Sequence, residues 1–185
     1  MDVVQLVLAA EHGADLSPLS QELGAETIQR SQLPAALASD PALRAVIVAP
    51  MFTADASRQA DMGAALSAWT QAAEAVLNIQ KHHRSACVLL LADEVARAPS
   101  AAAAYVKAWI EDTPEPPLVS AAKENGSALE AINDLAAHAL IAADPRASRA
   151  AAELRAAAAP LMEPAELSVS AAWGRAVSRV RQLQA

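Results

Sequence analysis

An uninterrupted apolar run constrains the fold of this chain more than any other stretch of its sequence. Residues 87–92 read CVLLLA, with no polar residue among them. A strand has this composition when helices cover both of its faces, as they do in a parallel sheet. The run therefore predicts a strand that is covered on both faces and belongs to an α/β core.

A long helix is predicted directly before this strand. The side chains of one helical face recur there at intervals of three or four residues. They are Met62, Leu66, Trp69, Ala73, Val76, Leu77 and Gln80. The basic cluster at residues 81–84, KHHR, complements the negative end of the helix dipole, so we expect the helix to end there.

Further strands and helices are predicted on both sides of this pair. Strands are expected at residues 3–9, 26–29 and 44–49, with a short one at 118–120. Helices are expected at about residues 17–24, 31–39, 101–112 and 145–159, and near the C-terminus. Another helical pattern follows Ser127 and consists of Leu129, Ile132, Leu135, Ala136 and Ala139.

Two helix starts carry capping signals. Ser17 or Asp15 is expected to cap the first helix, and Asp144 is expected to cap the helix that begins at Pro145. Asp93 and Glu94 are expected to form an acidic turn that leads into the helix near residue 101.

This order of elements predicts a three-layer α/β fold. We expect a mostly parallel sheet of about four or five strands flanked by helices, followed by a helical C-terminal segment. The α/β core is assigned to residues 1–125. The helical segment is assigned to residues 126–185 and packs on the core or on a partner.

Charge and hydropathy exclude several classes of protein. The net charge of -7 argues against general nucleic-acid binding, which needs clustered Lys and Arg. No apolar run approaches the roughly 20 residues that span a bilayer. The first residues resemble no signal peptide, because the chain reads MDVV and goes straight into a predicted strand. The expectation is a cytoplasmic protein without a membrane span.

The rare residue types argue against familiar cofactor and metal sites. Cys87 lies inside the apolar run, so we expect a buried thiol and no disulfide within the chain. No two of the four histidines have the spacing of a zinc motif, and no metal is expected. The five glycines form neither a dinucleotide-binding nor a Walker phosphate motif. No cofactor is expected.

Polar residues nevertheless follow three of the predicted strands. His12 and Asp15 come after the first strand, Ser57 after the strand at 44–49, and Asp93 and Glu94 after the strand at 87–92. The carboxyl ends of parallel strands meet at one edge of a sheet, where α/β enzymes bind their ligands. His12, Asp93 and Glu94 are the candidate catalytic groups at this edge.

The order of elements over residues 3–112 resembles a shortened sulfotransferase of the P-loop superfamily. The matching features are Ala49-Pro50 with Ser57 eight residues after Ala49, then Trp69, Val88-Leu89-Leu90-Leu91, Asp93-Glu94 and Pro99. Where the family has its phosphate loop, this chain reads EHGADLS at residues 11–17. Only Gly13 and Ser17 match, and the arginine expected at position 49 is missing.

The resemblance implies a degenerate donor site. Gly13, Asp15, Ser17 and Ser57 are the residues it places against the sulfate donor phosphoadenosine phosphosulfate. An acidic loop repels a donor with several negative charges, and each lost cationic contact removes about 1.5 to 3 kcal/mol of binding. The resemblance therefore implies a scaffold without catalysis.

Two functions follow as alternatives. The first is a non-catalytic module that binds a protein partner or copies of itself. Its contact surface is expected in the C-terminal helix, at Trp173, Val177, Val180, Arg175 and Arg179. This apolar stripe can equally close the core. The second is a transferase-type enzyme that acts on a sugar or nucleotide in the cleft at the strand ends.

Overall fold

A four-stranded parallel sheet forms the centre of the molecule. The computed structural model describes residues 5–10, 16–52, 61–114, 116–120, 128–162, 173–174 and 177. The strands are β1 (Leu6–Ala10), β2 (Glu26–Gln29), β3 (Arg44–Ala49) and β4 (Cys87–Leu91). They pair in the order β2-β1-β3-β4, and every pair is parallel.

Seven helices surround this sheet in the described part of the chain. They are α1 (Ser17–Leu23), α2 (Leu33–Ser39), α3 (Met62–His82), α4 (Ala92–Arg97), α5 (Pro99–Glu111), α6 (Ala128–Ala143) and α7 (Pro145–Ala157). A short 3-10 turn, Arg30–Gln32, joins β2 to α2.

Alternate residues of β3 and β4 contact different helix layers. On one face, Ala45, Ile47 and Leu89 pack against α2, α3 and α7. On the other face, Val46 and Leu90 pack against α1, α4 and α5. Strands β3 and β4 are therefore buried on both faces, which is the environment that their continuous apolar runs predict, whereas the edge strand β2 is mostly exposed.

Helix α7 belongs to one of these layers. Its Ala150 and Leu154 are buried in the same cluster as β3 and β4. The helix starts at a strong cap, because Asp144 Oδ1 accepts hydrogen bonds from the backbone amides of Arg146 at 2.8 Å and Ala147 at 3.0 Å. At least this part of the C-terminal segment packs on the sheet.

The chain after α7 covers the outer edge of β4. The Ala159 amide donates to the Leu89 carbonyl at 2.8 Å, and Leu161 and Met162 are buried. Residues 159–162 are called the edge segment below. Val119 pairs with this segment through its amide and the Leu161 carbonyl at 3.0 Å. The edge segment prevents β4 from presenting unpaired backbone groups to other chains.

Most predicted elements are confirmed. The three-layer α/β fold is present, β2 and β3 have the expected bounds, and β4 ends one residue earlier than expected. The long helix α3 ends at His82, inside the basic cluster. The Asp144 cap is confirmed. The boundary predicted between residues 125 and 126 lies outside the described residues.

Two expectations are wrong. Ser17 does not cap α1, since the cap position is Leu16 and no side chain bonds there. Asp15 lies outside the described residues. Residues 118–120 form a single bridge, Val119 to Met162, and no strand of the sheet. The prolines at 114, 116 and 117 account for this, because proline cannot donate to a ladder.

The helix lengths also bear on membrane insertion. None of the helices in the described ranges combines the length and the apolar character that crossing a bilayer requires.

Removal of the Leu154 side chain tests the position of α7. Leu154 is fully buried between α7 and the sheet, so Leu154→Ala should lower the free energy of unfolding by about 2 to 5 kcal/mol. Urea denaturation followed by circular dichroism measures this change. The matched control is Leu118→Ala, since Leu118 is 45% exposed and the expected change is within about 0.5 kcal/mol. Equal effects of the two variants would contradict the described packing.

Candidate functional site

The strand order places a switch point between β1 and β3. The chain leaves β1 towards β2 on one side, and it leaves β3 towards β4 on the other. Ligands of α/β proteins bind outside the carboxyl ends of the strands at such a point. The residues that the sequence predicts there, His12, Gly13, Asp15 and Ser57, lie outside the described residues.

The described residues directly after β3 are packed against helices. Phe52 is only 5% exposed and lies in an apolar cluster with Leu66 of α3 and Ile141 of α6. Its ring centroid is 5.8 Å from that of Trp69. The Trp69 indole donates to the Pro50 carbonyl at 2.9 Å. These contacts fix the start of the connection that follows β3 and fill the space beside it.

Asp93 and Glu94 lie in a helix and not in the expected turn. Helix α4 begins at Ala92, immediately after β4, and both acids occupy its first turn. Negative side chains are favourable there because they face the positive end of the helix dipole. The sequence places these acids correctly at the carboxyl end of β4, although it does not reveal the helix.

Glu94 has a structural contact. Its Oε2 accepts a hydrogen bond from the backbone amide of Leu161 at 3.0 Å. The bond is partly buried and joins α4 to the edge segment. A hydrogen bond from a backbone amide to a charged acceptor is among the stronger hydrogen bonds in proteins. Glu94 therefore anchors the segment that covers β4.

Asp93 has one satisfied and one unsatisfied oxygen. Its Oδ2 lies 2.5 Å from Nη2 of Arg97, one helical turn further along α4. Its Oδ1 is buried and has no hydrogen-bond partner in the described part of the chain. An unpaired buried carboxylate oxygen is costly, and a positive charge near the carboxylate offsets part of that cost.

Arg155 of α7 supplies such a charge. It interacts electrostatically with the carboxylates of Asp93 and Asp134. Burial lowers the pKa of its guanidinium, and the two carboxylates act in the opposite direction. On α6, His138 Nδ1 lies 3.2 Å from Asp134 Oδ1. Asp93, Asp134, His138 and Arg155 are called the polar cluster below.

Three members of the polar cluster, Asp134, His138 and Arg155, are not among the site residues predicted from the sequence. A signal was present, because Asp134 and His138 are four residues apart in a helical pattern and such pairs face each other. Arg155 carried no comparable signal, since only the packing of α7 brings it close to Asp93. The position of a residue at a strand end identifies Asp93 but none of the other three members of the polar cluster.

A shallow groove lies between α3 and α7. Two ion pairs cross it, Lys81 to Glu153 at 3.2 Å and a bidentate pair between Arg146 and Glu74. The hydrogen bond from Arg146 lowers the pKa of Glu74. The volume of the groove is about 190 Å³, and both pairs are solvent-exposed. They join the two helices at the surface of the molecule, where ion pairs contribute little to stability.

The remaining sequence-predicted residues are scattered. Ser17 is the first residue of α1. The Cys87 thiol is buried, and burial raises its pKa to about 11, which agrees with the expected unreactive thiol. Trp173 is 61% exposed and Val177 is half-buried, both in helical conformation. Three further contact candidates, Val180, Arg175 and Arg179, lie outside the described residues.

The metal-binding residue types are dispersed in the described ranges. Within them, no three His, Cys, Asp or Glu side chains are grouped so that they could hold a metal ion. The positive charge of Arg155 beside Asp93 and Asp134 also opposes a cation in the polar cluster.

No protein-family model, no curated protein and no solved structure matches this chain significantly.

The structural role of Glu94 is testable by removing its side chain. Glu94→Ala leaves the Leu161 amide without its charged acceptor, and the free energy of unfolding should fall by about 1.5 to 3 kcal/mol. The matched control is Glu153→Ala, which breaks an exposed pair with Lys81 and should cost at most about 1 kcal/mol. Chemical denaturation measures both values. An unchanged stability in Glu94→Ala would show that Glu94 does not anchor the edge segment.

Proposed function

We propose that the protein is a non-catalytic α/β module that acts by contact with a protein partner or with further copies of itself. The observation that carries this proposal is the exposure of Trp173, at 61% of its surface. Burial of a tryptophan ring on binding contributes strongly to affinity, so an exposed tryptophan is a candidate contact residue.

The described acids at the strand ends support the same conclusion. Glu94 is engaged by the Leu161 amide, and Asp93 by Arg97. A general acid or base must exchange a proton with its substrate, and it cannot do so freely while it anchors backbone or pairs with a fixed cation. Both contacts fit a supporting role better than a catalytic one.

The charges of the chain indicate the chemistry of the partner surface. Arg175 and Arg179 follow Trp173 within six residues, whereas the whole chain has a net charge of -7. A tryptophan accompanied by arginines suits an acidic partner, and another copy of this chain is itself acidic. The resemblance of residues 3–112 to a sulfotransferase scaffold belongs to this proposal, with the scaffold retained and the chemistry lost.

Trp173→Ser tests the contact directly. The purified full chain and the variant are compared by size-exclusion chromatography with light scattering over a range of concentrations. If copies associate through this residue, the variant should dissociate at a concentration at least about 30-fold higher, as expected for a central interface residue. The matched control is Arg149→Ser, an exposed position on α7 that should leave the molar mass unchanged.

A monomeric wild type would direct the test to a different partner. A photo-crosslinking amino acid at position 173, introduced in cells that produce the protein, should then capture a defined protein. The same amino acid at position 149 should not. A monomer that crosslinks to nothing at position 173 contradicts the proposal. Truncation before Pro164 without any change in assembly or binding contradicts it as well.

The strand order supports a second candidate function. The switch point between β1 and β3 is the position at which an enzyme of this architecture holds a sugar or nucleotide. In this alternative, His12, Asp15 and Ser57 contribute to a transferase site together with Asp93.

A ligand titration separates the two functions. The sulfotransferase resemblance provides the probes, phosphoadenosine phosphosulfate and adenosine 3′,5′-bisphosphate. A ligand at about 100 times its dissociation constant stabilises a protein by about 2.7 kcal/mol. The non-catalytic proposal expects no shift in melting temperature with either probe. A saturable shift that the double variant His12→Ala, Asp93→Ala abolishes would favour the enzyme.

A further inference from the structure

The groove between α3 and α7 holds two polar side chains that have no partner among the described residues. One is Arg149 of α7, which is exposed and pairs with none of the described carboxylates. The other is Asn78 of α3, which is also exposed and whose carboxamide makes no hydrogen bond in the described part of the chain. A guanidinium and a carboxamide therefore line one groove with their hydrogen-bonding groups available to a ligand.

The two ion pairs mark the ends of this groove. Glu74 with Arg146 and Lys81 with Glu153 each join residues that are 72 positions apart in the sequence. The same interval therefore separates the pairs along both helices, and α3 and α7 run in the same direction there. Two helical turns lie between the pairs, which is a length of about 10 Å. The two unpartnered side chains lie within this interval.

The groove combines a positive charge with an apolar floor. Its described lining contains three cations and two carboxylates, and the two ion pairs engage both carboxylates. The charge that remains is that of Arg149, although the whole chain has a net charge of -7. Leu77 and Ala150 also line the groove and are buried in the cluster that contains β3 and β4. A guanidinium binds a carboxylate through two parallel hydrogen bonds, and an apolar floor favours a hydrocarbon chain.

The dimensions of the groove favour a small molecule over a protein. Its volume of about 190 Å³ lies below the range of about 300 to 1,000 Å³ that drug-sized ligands occupy. A stable protein interface buries about 800 Å² on each partner, which is far more than a groove about 10 Å long provides. The ligand that fits is a single carboxylate with a short chain.

We propose that the groove binds a small aliphatic monocarboxylate. Its carboxylate pairs with the Arg149 guanidinium and accepts a hydrogen bond from the Asn78 carboxamide, and its chain lies on Leu77 and Ala150. A bound acid of this size leaves the molar mass of the protein almost unchanged, so the site does not depend on the assembly proposed for Trp173.

Butyrate is the probe, with butyramide as its uncharged counterpart and acetate as its shorter one. The full chain is titrated by two-dimensional NMR, and sodium butyrate replaces sodium chloride so that charge screening stays constant. Butyrate should shift the amide signals around Asn78 and Arg149 saturably, with a dissociation constant in the millimolar range because the site is open to solvent. Butyramide should leave these signals unchanged. Acetate should bind about fourfold more weakly, since it lacks methylene groups that the floor partly buries.

Two substitutions test the polar contacts. Arg149→Gln should weaken butyrate binding about fivefold, which is the upper range for an exposed ion pair. Asn78→Asp should abolish it, because the introduced carboxylate pairs with Arg149 and repels the acid. The matched control is Lys107→Gln, which removes an exposed cation from α5 on the other face of the sheet and should leave binding unchanged. All three positions are exposed, so folding should be retained.

Several results would overturn the proposal. Butyrate shifts that fail to saturate, that lie outside the groove or that persist unchanged in Arg149→Gln would each do so. Equal affinities for acetate and butyrate would show an adventitious ion only. Groove signals that move with protein concentration before any acid is added would assign the groove to a carboxylate of a second copy. The wild-type titration with the three probes decides even if a variant does not fold.

Discussion

The burial of β3 and β4 on both faces is the constraint on which the rest of the structure depends. Neither strand has a face that tolerates water, since every described residue of β4 and five of the six in β3 are buried. Helices must therefore cover the sheet twice, and the edge segment must cover the outer side of β4. Glu94 holds that segment in place. The burial of the sheet therefore depends both on the C-terminal helices and on the acids at the end of β4.

The high alanine content determines how closely the helices pack on the sheet. Hydrophobic residues make up 54% of the chain but aromatics only 3%, so large side chains are few and the layers must approach closely. Ala102 and Ala103 of α5 and Ala150 of α7 are buried against the sheet at such contacts. Small side chains contribute little apolar area each. Exposed ion pairs join α3 and α7 beside these small buried side chains.

The sequence predicts the elements of this fold better than their orientation. The strands could be predicted because bulky apolar runs are typical of strands that are buried on both faces of a parallel sheet. The pattern of α6 was misleading, because Ala136 and Ala139 of the expected face are exposed while Ala137 and Ile141 are buried. Alanine fits either face, so its spacing does not fix the rotation of a helix. The polar cluster was equally hidden, because the electrostatic interaction between Arg155 and Asp93 depends on the packing of α7, which the sequence does not reveal.

Glu94 shows why an acid at the end of a strand is ambiguous in a sequence. Catalytic acids often lie at the carboxyl edge of a parallel sheet. The backbone amides of segments that close the fold lie there as well. A hydrogen bond from a partly buried amide to a carboxylate contributes at least as much to the stability of the protein as a surface ion pair does. Protonation or rotation of the side chain forfeits this stabilisation. An acid with such a contact is therefore poorly suited to proton transfer, and the hydrogen bond at Leu161 explains why position alone did not identify its role.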